Sequence, residues 1–239
     1  LSWRETARAF GVSWEAVYRS VDWFVQWGLA HRVLEAVHAI GIDEIHWGKG
    51  LRSDNFLTVI YQIDTHCRRL LWVGPRRTQA ALRRGLATLG PEVLKGVRFV
   101  CSDMWKPYLR VIATHLGQAL HILDRFHITS HLNDALDQVR RAECSRLQGR
   151  PQATKLKRMR WKLLRRGSRV RGHAKRKLWG LLRTKLATGR AWMLKETFED
   201  FWHYRSLTWA RAFLSVWTER ALRSRIEPMR KVARMLRAH

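Results

Sequence analysis

The stretch that decides the fold is His38-Ala39-Ile40-Gly41-Ile42-Asp43-Glu44-Ile45-His46-Trp47. It is an apolar run rich in β-branched isoleucine, closed by the turn residues Gly48-Lys49-Gly50, and it reads as a β-strand. Its one anomaly is an acid at its middle. A carboxylate inside an apolar strand costs several kcal/mol unless something pairs with it, so Asp43 requires a partner.

Working outward, residues 55–63 and 69–73 read as a second and a third strand, with Asp64-Thr65-His66 turning between them. Residues 79–89 have helical spacing. A fourth strand over 97–102 ends at Asp103, a helix covers 105–116, and a fifth strand over 119–123 ends at Asp124. Three consecutive strands followed by helix, strand, helix and strand is the order of an RNase H-like sheet. The right-handed crossover rule then sets the fourth strand parallel to and beside the first, which brings Asp43 and Asp103 together across sixty residues of sequence.

Upstream, Ser2 with Glu5 forms a capping box before a helix ending near Phe10, and Ser13 caps a second helix from Trp14 to about Trp27. With Gly11 at the turn and Ala7, Phe10, Val12 and Val17 as a small shared core, the pair reads as a helix-turn-helix; a plain helical hairpin is the alternative. After His127 the pattern is helical to the end. From Cys144 to Lys195 there is no Asp or Glu. In that run Arg158, Arg160, Lys162, Arg165, Arg166, Lys175, Arg176 and Lys177 alternate with Leu163, Leu164, Leu178, Leu181, Leu182, Trp161 and Trp179. This points to structured helices with a phosphate-facing side, against the simpler alternative of a solvated basic face. The expected architecture is therefore α/β: a helix-turn-helix over 1–34, a mixed five-stranded RNase H-like core with flanking helices over 35–128, and an all-α basic insertion over 129–239.

Composition agrees with a DNA partner. Of 239 residues, 46 are Lys or Arg and 19 are Asp or Glu, a formal charge of +27, and so large an excess favours a polyanionic partner. Thirteen tryptophans and a hydrophobic share of 46% exclude a disordered chain. No apolar run is long enough to span a membrane, and no signal peptide is evident. Cys67, Cys101 and Cys144 lie far apart with no C-x-x-C pair, which supports neither a disulfide framework nor a zinc site and fits the cytoplasm. Leu1 lies inside a helical pattern, so an upstream segment is expected.

Two carboxylates about 4 Å apart repel by roughly 4 kcal/mol at an intermediate dielectric. Proximity makes sense if a divalent cation lies between them, and oxygen-only ligands select Mg²⁺ or Mn²⁺. In a two-metal site one ion activates the attacking oxygen and the other stabilises the leaving oxygen of a phosphoryl displacement. The alternative is that each Asp is an ordinary strand-end or ion-paired residue. Asp124 is the next candidate ligand, and His127 shares its helical face; a structural hydrogen-bonding pair is the other reading.

The strand Gly41-Ile42-Asp43-Glu44, the segment Ser102-Asp103-Met104-Trp105-Lys106-Pro107-Tyr108 and the segment Asp124-Arg125-Phe126-His127, in this order, resemble bacterial insertion-sequence DDE transposases. The branch resembled carries an upstream zinc ribbon, a helix-turn-helix and a catalytic domain interrupted by helices. The resemblance implies that Asp43 and Asp103 are the first two catalytic acids, with two Mg²⁺ or Mn²⁺ ions. It also implies DNA cleavage and strand transfer on element ends and target DNA, action beside the nucleoid, and a homo-oligomeric synaptic complex. The family's third acid is a Glu in an Asn-rich helical segment, for which Glu196, Glu199, Asp200, Glu219 and Glu227 lack the context. It is expected beyond His239, and without it the chain alone is expected to hold its second metal weakly and to be inactive. Competing readings are a non-catalytic DNA-binding regulator and an RNase H-like nuclease or resolvase. Trp105 and Tyr108, one helical turn apart, are expected to pack the core, as are Trp192, Trp202, Trp209 and Trp217.

Overall fold

The computed structural model describes residues 1–49, 53–184 and 186–238; Gly50 of the expected turn and the terminal His239 lie outside them. The chain forms two units, Leu1–Leu123 and Asp124–His239.

The first unit opens with α1 (Trp3–Phe10) and α2 (Trp14–His31). The capping box of Ser2 and Glu5 is formed, and Ser13 Oγ accepts from the Ala16 N–H at 3.1 Å. Gly11 closes α1 with φ +62°, the left-handed conformation that costs glycine little. The small core expected between the helices is reduced to Ala7; Phe10 and Val12 are exposed, and α2 buries no residue. Two helices meeting at a tight turn enclose too little volume to cover large side chains, so Trp14, Tyr18, Trp23, Phe24 and Trp27 are also exposed.

The sheet follows, with β1 (Ala39–His46), β2 (Phe56–Asp64), β3 (Cys67–Pro75), β4 (Phe99–Ser102) and β5 (Leu120–Leu123) in the order β3-β2-β1-β4-β5. The strands β1, β2 and β3 form an antiparallel meander, while β4 runs parallel to β1 and β5 parallel to β4. This is a mixed α/β sheet of the RNase H-like kind. The intervening helices are α3 (Gln79–Leu89), α4 (Pro91–Gly96) and α5 (Lys106–His115). The short α4 is an addition to the sequence reading. Pro91 sits in its first turn, where a missing N–H costs nothing.

Side chains of a strand alternate between faces, and the inward face of β1 is that of Ile40 and Ile42. These pack with Ile60, Leu71, Leu82, Leu86, Val100, Tyr108, Val111 and Ile112 into one core. The next inward position on β1 is Glu44. The core of the unit therefore ends on an acid.

The second unit is helical: α6 (Arg125–Arg146), α7 (Pro151–Arg158), α8 (Arg160–Leu164), α9 (Gly172–Leu182), α10 (Ala187–Phe198), α11 (Leu207–Arg223) and α12 (Glu227–Arg237). Leu132, Leu136, Leu156, Leu163, Phe198, Trp217 and Met229 are among its buried side chains. Trp192 and Trp217 are core residues as expected, but Trp209 is exposed, as are Trp161 and Trp179. Buried Glu143 on α6 accepts from the N–H groups of Ala187 (2.9 Å) and Thr188 (2.8 Å) and from Thr188 Oγ1 (2.7 Å), capping α10 from another helix. Burial raises its pKa, but these bonds and Arg146 outweigh that and leave it lowered.

Candidate active site

The pairing of β1 with β4 runs to Ile42 opposite Ser102. Asp43 and Asp103 are the next residues on the two neighbouring chains, so the sheet sets their backbones side by side. Their side chains have different surroundings. Asp43 lies on the face opposite Glu44; its Oδ2 accepts from the Tyr61 hydroxyl at 3.4 Å and its Oδ1 from the Glu44 N–H at 2.8 Å. Gly41 leaves room for this arrangement, because a Cβ there would stand 2.5 Å from Tyr61 Cε2.

Asp103 follows the end of β4 and is freed from strand alternation. Its Oδ1 accepts from the Trp105 N–H at 3.0 Å, and its Oδ2 from Arg77 Nη2 at 3.4 Å. Arg77 also makes an ion pair through Nε with Glu44 Oε1. Apart from this ion pair, neither of those two buried atoms has a hydrogen-bond partner. The guanidinium lies 4.4 Å from the Trp105 ring centroid and 5.7 Å from that of Phe56. Trp105 in turn meets Tyr108 edge to face at 4.6 Å, and Tyr108, fully buried, shares a 2.6 Å hydrogen bond with Thr58. These two aromatic residues are structural supports, as the sequence suggested.

Burial pushes the Glu44 carboxyl up to about 7; the charge of Asp103 adds to the shift, Arg77 opposes it, and Asp43 adds a smaller part. Two neighbouring carboxylates and one guanidinium thus act on Glu44. The sequence reading passed over Glu44 and Arg77. The available signal was parity: Ile40, Ile42 and Glu44 share a face, so if that face is buried, Glu44 needs a cation.

Asp43 and Asp103 are oxygen donors, the set that a hard divalent ion prefers. In this respect the residues fit Mg²⁺ or Mn²⁺. No group of three or more His, Cys, Asp or Glu among the described residues is arranged to hold a metal ion. Asp124 belongs to the second unit, where it caps α6. Its Oδ1 accepts from the Phe126 N–H at 2.8 Å, and Oδ2 lies 3.7 Å from His127 Nε2. Of the late acids, Glu196 accepts from the Gly167 N–H at 2.6 Å and Glu199 pairs with Arg166 at 2.8 Å.

The basic run divides. Arg158, Lys162 and Lys177 are brought together with Lys155 around a cavity of about 810 Å³ that has no acid in its lining. Lys175 and Arg176 are exposed on α9, and Arg165 is exposed just past α8. Arg166 is engaged by Glu199, and Arg160 lies 3.5 Å from Asp137. A second cavity of about 580 Å³, lined by Arg140, Arg141, Arg150 and Lys157, also lacks an acid. The three cysteines are not joined in disulfides, and no helix among the described residues is long and apolar enough to cross a membrane.

The chain is 26% identical over 235 residues to the transposase for insertion sequence element IS1001 of Bordetella parapertussis, covering 98% of this chain and 57% of that protein. It is 23% identical over 261 residues to the transposase for insertion sequence element IS1557 of Mycobacterium tuberculosis, covering 100% of this chain and 55% of that one. It therefore spans a little over half the length of these relatives. The ISL3-type DDE transposase model matches residues 40–239. The chain belongs to the ISL3 family of DDE transposases.

Proposed function

We propose that the chain is the core of an insertion-sequence transposase that cleaves DNA at the element's ends and joins the freed 3′ end to target DNA. The observation that supports this reading is the β1–β4 register, in which Ile42 pairs with Ser102, the residues just before Asp43 and Asp103. In it Asp43 and Asp103 hold Mg²⁺ or Mn²⁺. When bound, such ions polarise phosphoryl oxygens and stabilise the attacking and leaving oxygens of the displacement. The protein's own contribution is to hold the two carboxylates and keep phosphates in reach.

Lys155, Arg158, Lys162 and Lys177 grip the DNA backbone, joined by the exposed Arg165, Lys175 and Arg176. The α1–α2 pair over 1–34 acts as a helix-turn-helix on the element's ends, residues 35–128 form the catalytic core, and 129–239 the basic insertion. Asp124 serves as a helix cap, as its hydrogen bonds support. The full reaction takes place in an oligomer on two DNA ends, with a third acid in the whole protein.

The protein expressed from the whole of its reading frame is tested on a duplex carrying an element end. Mn²⁺-dependent nicking and joining are expected, with each of Asp43→Asn and Asp103→Asn reducing the rate at least about a hundredfold while DNA binding persists. Variants that cut and join at the wild-type rate would remove the enzymatic reading and leave a DNA-binding regulator. Cutting without joining would favour a nuclease.

A further inference from the structure

Arg77 is held from several sides. Its backbone lies between the end of β3 and Thr78, whose hydroxyl caps α3 by accepting from the Ala81 N–H at 3.1 Å. Its guanidinium is stacked against Trp105 and faces Phe56. Adjacent nitrogens of that one planar group meet two carboxylates, Nε on Glu44 and Nη2 on Asp103. The Glu44 side chain is 8% exposed and that of Asp103 13%. With the Trp105 N–H on its other oxygen, Asp103 is fixed at both ends, and each of its oxygens keeps a lone pair for another partner. The guanidinium lies between the Glu44 and Asp103 carboxyl groups, so both hold it in place while it orients Asp103.

We propose that Arg77, anchored by Glu44, is a positioning residue that sets the orientation in which Asp103 takes up a divalent cation. This rests on the reading of Asp103 as an ion ligand. It goes beyond that reading in assigning a role to two residues that do not themselves bind the ion. Lysine cannot replace Arg77 fully, because an ammonium has neither the rigid planar fork that sets two nitrogens at fixed positions toward Glu44 and Asp103 nor a flat face to stack on Trp105.

The test is Mn²⁺ binding by the chain, followed by electron paramagnetic resonance. Arg77→Gln is expected to weaken Mn²⁺ affinity about 10- to 100-fold, the usual effect of removing a group that orients a metal ligand. Arg77→Lys should recover only part of that loss. If Arg77→Gln does not fold because Glu44 is left unpaired, the Glu44→Gln/Arg77→Gln double variant removes both charges and should show the same weakening, with its fold checked by circular dichroism. A folded double variant within twofold of wild type, while Asp103→Asn loses the ion, would overturn this proposal alone. Tighter binding by Arg77→Gln, or full recovery by lysine, would overturn it too, by making Arg77 a competitor or merely a charge. Equal binding by wild type and Asp103→Asn would overturn both this proposal and the ion-ligand reading.

Discussion

Glu44 is the residue whose chemistry changes most on folding. Its carboxyl moves from 4.5 in the unfolded chain to about 7 in the folded one, so between those values the native state holds a proton that the unfolded state has released. Stability from this group is therefore full below about pH 4.5 and falls as pH rises toward 7, by about 3 kcal/mol in all. Urea titrations from pH 4 to pH 8 should show that decline in the wild type and a flatter profile in Glu44→Gln. Gly41 offers a second test at this scale. A methyl group there would meet Tyr61, which donates to Asp43, so Gly41→Ala should cost about 2 kcal/mol in chemical denaturation. Asp43 was legible as a misplaced acid in an apolar strand. Arg77 was not, because what identifies it is the company of Glu44, Trp105 and Asp103 rather than any local pattern.

Elements differ in how much of their form is local. The helix α1 begins and ends on side chains within its own sequence, Ser2, Glu5 and Gly11, and its limits could be read directly. The strands were recognisable from β-branched runs, although β3 extends to Cys67–Pro75 because its pairing with β2 continues through the flanking residues. By contrast, α10 has no side-chain cap of its own; its first N–H groups are satisfied by Glu143, more than forty residues earlier. Glu143→Ala should therefore destabilise the second unit by about 3 kcal/mol, measured as a drop in urea unfolding free energy. Glutamine in its place should recover part of this. The carboxyl's lowered pKa means that its stabilisation is present above about pH 4.5 and is lost as pH falls through the folded value.

For the whole molecule, the charge of +27 dominates. DNA affinity should fall steeply with salt, and replacing Arg158, Lys162 and Lys177 together by Ala should flatten the slope of log K against log salt by about 0.9 for each phosphate no longer neutralised. An unchanged slope, measured by fluorescence anisotropy on duplex DNA, would remove the cavity they line from the interface. The sequence by itself determined the large excess of positive charge, the order of the five strands, and the placing of Asp43 within β1 and of Asp103 just past β4, because composition, periodicity and strand limits are properties of neighbouring residues. Tertiary structure decided which cations are free and which are spent on Asp137 and Glu199. It also brought Glu44 and Arg77 to Asp103 and left the aromatic residues of α2 exposed. These are matters of which side chain meets which across long stretches of chain, and burial and pairing between distant residues leave no periodic trace.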